Sequence, residues 1–220
     1  MNRPRSEGLL SIETAHAHSV TVIGAGAIGS NLVYLLAKLG IGRIVVHDND
    51  VVAEENLEPQ FYTIDDVGTE KAWAILETVG AFGIDDVSMD ASLERWTADS
   101  VPTTPIVISG VDSLESRFDI ADSLLENEGQ WWHYIDMRMG GNVVEMRYVQ
   151  PGDDLVDYIN NELPSIEAMP IPCSMRSVAY NGMVAASLAA RAVAAILTGE
   201  PVPKYVKVDL LAWSWDVQFT

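Results

Sequence analysis

The sequence predicts an α/β fold: a mostly parallel sheet with helices on both faces and an antiparallel C-terminal section. Three observations point to it. Short apolar runs alternate with helical patterns, the order that builds parallel strands through crossover helices. A glycine-rich turn, Gly24-Ala25-Gly26-Ala27-Ile28-Gly29, joins the first run to the first helical pattern. Two later runs flank Gly140-Gly141-Asn142, a hairpin signal.

Taken in order, Ser19–Ile23 (SVTVI) reads as a buried strand, Ala27–Leu39 as a helix ended by Gly40, and Arg43–His47 (RIVVH) as the second strand. Thr69–Val79 is helical in pattern. Val87–Ala91 is a weaker strand and Ile106–Val111 a strong one. Ser113–Glu126 is a helix carrying both charge signs, and Trp132–Met137 pairs with Val143–Val149 as the hairpin. Gln150 to Pro172 breaks the rhythm. It holds Pro151, Pro164, Pro170 and Pro172 with several acids, and reads as an excursion with one short helix near Leu155–Asn160. Ser174–Leu197 is a long Ala-rich helix stopped by Gly199 and Pro201. Tyr205–Leu211 and Asp216–Phe219 close the sheet. Residues 1–220 make one domain, with 1–18 an N-terminal arm and 150–173 a crossover-like loop.

The chain has 220 residues, of which 48% are hydrophobic and 20% charged. That is enough apolar material for a sizeable core, which excludes disorder as the main state. Against 13 Lys and Arg stand 32 Asp and Glu, a net charge of -19. Such a surface repels phosphate backbones and anionic bilayers, so neither a nucleic-acid nor a membrane partner is expected. It suits a basic partner surface, or serves solubility alone. The single cysteine, Cys173, allows no internal disulfide and no multi-cysteine zinc site. Met1 to Ser11 carries Arg3 and Arg5 but no apolar signal core, and Val178 to Leu197 is interrupted by Asn181 and Arg191. A cytoplasmic protein is the expectation.

Gly24 to Gly29 fits G-x-G-x-x-G, directly after a strand and at the start of a helix. Without a Cβ, glycine lets main-chain N–H groups approach a phosphate, and the helix N-terminus adds positive potential. Asp48 ends the second strand, where a carboxylate can take a ribose hydroxyl pair. Together these specify a Rossmann-like nucleotide-binding unit and do not separate NAD from ATP.

The segment that follows does separate them. It runs Asp48-Asn49-Asp50-Val51, then Asn56-Leu57-Glu58-Pro59-Gln60, then Gly68-Thr69-Glu70-Lys71. Asp112 with Arg117, and then Cys173 before the Ala-rich helix, Gly199 and Val206–Asp209, complete the series. In this order the blocks resemble the ThiF/MoeB/HesA adenylyltransferases of the ubiquitin-activating-enzyme superfamily, with D-x-D-x-V, N-L-x-R-Q, G-x-x-K and D-x-x-x-x-R. The resemblance implies an enzyme that binds ATP and Mg²⁺ and adenylates the C-terminal glycine of a ubiquitin-like or sulfur-carrier protein, commonly as a homodimer. It implies that Gly24, Gly26, Ala27 and Gly29 line the phosphates and that Asp48 holds the ribose. Asn56 and Gln60 would contact the phosphate end. Lys71 would neutralise phosphate charge, and Asp112 would organise Mg²⁺ and the α-phosphate. Each also has a plainer role open to it: Lys71 as a solvated helix lysine, Asp112 as a helix cap, Asn56 as a turn former.

Two departures stand out. Pro59 occupies the place of the family arginine and offers neither charge nor N–H. Another cation, such as Arg3 or Arg5, replaces it, or catalysis is slow, or the protein binds nucleotide without adenylating. The paired C-x-x-C zinc motifs of many relatives are missing as well. Cys173, in Pro170-Ile171-Pro172-Cys173-Ser174-Met175-Arg176, resembles the family's active-site cysteine segment and stands either as an acyl acceptor or as an inert packed thiol. Asp136 and Arg138 are read as a local ion pair or as contacts to tail or nucleotide, and Arg117 as structural. Trp131, Trp132, Trp213 and Trp215 are read as core or dimer surface. Against the adenylyltransferase stand a non-catalytic nucleotide-binding scaffold and an NAD-linked oxidoreductase.

Overall fold

The computed structural model describes residues 8–84, 86–163 and 178–219. Eight strands form one sheet: β1 Ser19–Ile23, β2 Arg43–His47, β3 Ser88–Ser92, β4 Ile106–Ser109, β5 His133–Gly140, β6 Val143–Val149, β7 Tyr205–Asp209 and β8 Ser214–Gln218. Their order is β3-β2-β1-β4-β5-β6-β7-β8. From β3 to β5 all pairs are parallel, and from β5 to β8 all are antiparallel. The winding reverses between β1 and β4, the point beyond whose carboxyl strand ends ligands bind in open α/β sheets.

The helices are α1 Ile12–His16, α2 Ala27–Leu39, α3 Lys71–Gly80, α4 Leu114–Glu126, α5 Asp153–Asp157 and α6 Ala179–Thr198. Side chains alternate across each strand. One face sends Val20, Val22, Ile44, Val46, Ile106 and Ile108 into a core shared with α2, α3 and α6. The other sends Ile23, Val107, Tyr134 and Val149 into a second core with α4 and α5, around Trp131, Leu124 and Tyr158. Helix α6 is long and apolar enough to cross a bilayer by length and composition. Here Ala185, Ala186, Ala189 and Val193 are buried in the first core.

Several boundaries differ from the sequence expectation. Helix α3 starts at Lys71, not Thr69, because the preceding residues are held extended: the Val52 N–H donates to Thr69 O (2.8 Å), the Gly68 N–H to Val52 O (2.9 Å), and Val51 bridges Glu70. Strand β4 stops at Ser109, after which the Gly110 N–H still reaches Ile23 O at 2.9 Å. The short helix in the excursion spans Asp153–Asp157 and then widens into a π turn over Tyr158–Glu162. Strand β8 begins at Ser214, after a turn in which Asp209 Oδ1 accepts the N–H groups of Leu211 and Ala212. The arm contains an unexpected helix, α1, capped by Ser11 and anchored by buried Ala15. The first residues expected of the long helix, 174–177, lie outside the described residues.

Beyond α6, the apolar face runs on into β8. Trp215 pairs with Val208 and Val217 with Val206, yet Trp213, Trp215, Val217 and Phe219 are all exposed.

Candidate nucleotide site

The glycine turn lies at the winding reversal, between β1 and α2. Gly24 has φ +90, a left-handed backbone that only glycine adopts readily. A Cβ on Gly29 would lie 1.8 Å from the Gly24 carbonyl oxygen, so the turn closes only with glycine there. Gly26 is different. Its φ of -74 suits any residue, and a Cβ on it would meet nothing within 4 Å. The turn therefore faces open space at Gly26, at the N-terminus of α2, the end of a helix that attracts anions.

Asp48, just past the end of β2, reaches across to this turn. Its Oδ2 accepts the Ala25 N–H at 2.6 Å and its Oδ1 the Asp50 N–H at 2.8 Å. Burial pushes the Asp48 carboxyl above its ordinary value, against the pull of these two donors and of Lys71. Each oxygen keeps a second lone pair for a ribose hydroxyl.

Lys71 opens α3 and is 7% exposed. Its Nζ is 2.9 Å from Asp50 Oδ2, whose side chain is 63% exposed. The Tyr62 hydroxyl lies 2.7 Å from Ala25 O and 3.2 Å from Lys71 O, lacing the glycine turn to the start of α3. Ser30 adds a second lace: its Oγ donates to Gly26 O (2.7 Å) and accepts the Phe61 N–H (2.9 Å). Lys71 is thus a buried, paired cation and not a solvated helix lysine.

Asn56 and Gln60 divide. Asn56 Oδ1 accepts the Ala53 N–H at 2.9 Å and closes a 3₁₀ turn, the turn-forming role. Gln60 Oε1 is buried with no hydrogen-bond partner among the described residues. Gln60 immediately precedes Phe61, which the Ser30 contact holds against α2.

Asp112 is exposed, in the loop after β4. It does not cap α4. Ser113 does, accepting the Ser116 N–H at 3.1 Å, because it is one residue closer to the first helical turn. The loop itself is pinned twice. Gly110 packs on the glycine turn, with a Gly24 Cβ placed 3.3 Å from the Gly110 carbonyl. Arg117 reaches back from α4 to donate to Val111 O. The same guanidinium pairs with Asp136, which also takes Arg138 Nε at 2.6 Å and the Tyr158 hydroxyl at 2.8 Å. Asp136 is fully buried. Burial opposes its charge, but Arg117 and Arg138 outweigh it and hold the carboxyl below its ordinary value. Asp136 and Arg138 therefore form a local ion pair, and Arg117 positions the Asp112 loop.

The structure brings together Gly24, Gly26, Ala27, Gly29, Asp48 and Lys71, with Asp112 on an adjoining pinned loop. Cys173, Arg3, Arg5 and Arg176 lie outside the described residues. Among the described residues, no cluster of His, Cys, Asp and Glu assembles a metal site. Sequence reasoning missed the laces Tyr62 and Ser30 and the lysine's partner Asp50. Of these only Asp50 carried a signal, as the second acid of D-x-D.

The fold matches solved structures. E. coli MccB crystallised with ATP superposes with a TM-score of 0.75 at 21% identity, covering 94% of this chain and 65% of that one. PaaA superposes with 0.75 at 18% identity, covering 94% and 74%. A protein of Porphyra purpurea named "Probable molybdopterin-synthase adenylyltransferase" is 32% identical over 149 residues, 65% of this chain and 38% of that protein. The SAMP-activating enzyme E1 of Haloferax volcanii is 34% identical over 112 residues, 47% of this chain and 40% of that protein. The chain thus matches about two fifths of the length of these curated relatives. The ThiF family pattern matches residues 5–218. With the glycine turn, Asp48, Lys71 and Asp112 in the motif order, the chain belongs to the ThiF family.

Proposed function

We propose that this protein is an ATP-dependent adenylyltransferase that activates the C-terminal carboxylate of a ubiquitin-like or sulfur-carrier protein. The observation that carries the reading is Gly26: a glycine demanded neither by its backbone angles nor by any neighbour, facing open space at a helix N-terminus. A ligand that approaches the main chain accounts for it.

In this reading the ribose rests on Asp48 and the phosphates on the N–H groups of the glycine turn. Lys71 exchanges its bond to Asp50 for one to phosphate oxygen. Asp112 fits Mg²⁺ of the kind a nucleotide brings with it, since such a cation needs only one or two protein carboxylates beside phosphate and water oxygens. The metal, when bound, offsets charge on the phosphates. The tail carboxylate attacks the α-phosphorus, the bond to the β-phosphate oxygen breaks, and pyrophosphate leaves with that electron pair, giving an acyl-adenylate. The chain's own contribution is to position the two anions and offset their repulsion. We further propose a cytoplasmic homodimer, its exposed β8 face being apolar enough to be covered, and acyl transfer to Cys173 as a second step.

Pro59 and the crowd of acids, Asp48, Asp50 and Asp112, favour a second reading, a nucleotide-binding scaffold without catalysis. ATP–pyrophosphate exchange with carriers ending in Gly-Gly separates the two. Exchange that disappears in Lys71→Met and Asp112→Ala supports the enzyme. ATP binding without exchange across the carrier set supports the scaffold.

A further inference from the structure

Asn181, in the first turn of α6, is fully buried. Its Nδ2 donates to the Gly141 carbonyl in the β5–β6 turn. That bond fixes the amide, with Oδ1 as its free end. Oδ1 is buried and has no hydrogen-bond partner among the described residues. A buried acceptor left unmatched costs its full desolvation, so folding alone does not account for it.

The place of this oxygen defines its partner. The next residue, Gly182, presses against the start of α2: a Cβ there would lie 2.5 Å from the Ala27 carbonyl oxygen. Asn181 therefore stands between the β5–β6 turn and the first turn of α2, beside the glycine turn. An acceptor needs a donor. Phosphate oxygens offer none. Ribose hydroxyls belong to Asp48 beyond β2, and β1 and β4 separate β2 from β5 by about 14 Å at the usual strand spacing. With the ribose on Asp48, the adenine is carried by the ribose carbon away from the phosphates and so stays on the β2 side. An extended peptide, by contrast, carries N–H donors along its length.

We propose that Asn181 Oδ1 accepts a backbone N–H of the incoming C-terminal tail and so holds the tail beside the β5–β6 turn. This rests on the activation reading above and adds to it a binding residue that no motif block contains.

Backbone-ester scanning tests it. Synthetic peptides ending in Gly-Gly, with each tail amide replaced in turn by an ester, are titrated into the full chain loaded with a non-hydrolysable ATP analogue. One ester is expected to weaken binding by about tenfold in the wild type. The same ester is expected to cost nothing further in Asn181→Ala. If every ester penalty is the same in wild type and variant, the oxygen merely holds water and the proposal fails while the activation reading stands. Should Asn181→Ala not fold, the wild-type scan decides alone: a tail with no sensitive N–H overturns the proposal. If no Gly-Gly peptide binds and no carrier supports pyrophosphate exchange, the activation reading fails and takes this one with it.

Discussion

The Lys71 ammonium lies 2.9 Å from an Asp50 carboxylate oxygen, and the two residues are also joined through their main chains, Lys71 N–H to Asp50 C=O at 2.8 Å. The lysine is 7% exposed, the aspartate side chain 63%. A buried cation is thus held at the rim of the site by an acid that can turn to water. A triphosphate must compete with Asp50 for the charge. Removing that acid, as in Asp50→Asn, is expected to tighten ATP binding severalfold, whereas Lys71→Met weakens it by about tenfold or more. Calorimetric titration at fixed salt reads both. If Asp50→Asn weakens ATP as much as Lys71→Met does, Asp50 orients the lysine and does not compete for it.

Gly26 separates binding from folding. Its would-be Cβ meets nothing, so Gly26→Ala is expected to move Tm by no more than about 2 °C. The same methyl stands where a phosphate would approach the main chain, and ATP affinity is expected to fall about tenfold or more. Equal affinity for wild type and variant would remove the central support for a nucleotide at this turn.

His47 gives stability a pH dependence. Burial, edge-on against Trp96 with ring centres 4.8 Å apart, pushes its imidazole down to about 4. The unfolded chain takes up the proton near pH 6.5 and the folded chain only near 4. The contribution is therefore complete above about pH 6.5 and is lost as pH falls towards 4, by up to about 3 kcal/mol. Denaturant unfolding at pH 7 and 4.5 should show this loss in the wild type and a smaller one in His47→Gln. Parallel losses would mean that other groups set the slope. Asp136 does not enter this window: its carboxyl is held low, so its contribution persists down to about pH 4 and fades below that.

Arg117 supports the Asp112 loop through Val111 O and neutralises Asp136. Arg117→Met leaves a fully buried carboxylate with Arg138 as its remaining cation. A loss of about 3–5 kcal/mol in denaturant unfolding is expected. A loss below about 1 kcal/mol would show that Arg138 and Tyr158 satisfy Asp136 unaided.

The strand and helix sequence was legible because periodicity and glycine punctuation are local. Ser19–Ile23, Ala27–Leu39, Arg43–His47 and Val143–Val149 appear with the boundaries that their patterns imply. The start of α3 was not, since Thr69 and Glu70 are drawn into extended backbone by Val51 and Val52, a pairing no local pattern encodes. In the site, Asp48 was legible because its spacing from the glycine turn brings it there, and Lys71 because it falls on a position of the family motif. Tyr62 and Asn181 were not. One acts through backbone carbonyls, and the other is defined by what packs across from it, so both are visible only in three dimensions.

Among the described residues, the final strand leaves one border of the sheet unpaired, with Trp215 and Val217 exposed upon it. Such a border templates β-sheet growth between molecules unless something keeps copies apart. Long-range repulsion from a net charge of -19 opposes such open-ended growth and leaves only a specific association, such as the proposed dimer, to cover the strand. Association beyond the dimer should then follow ionic strength: brine, by screening the carboxylates, invites it.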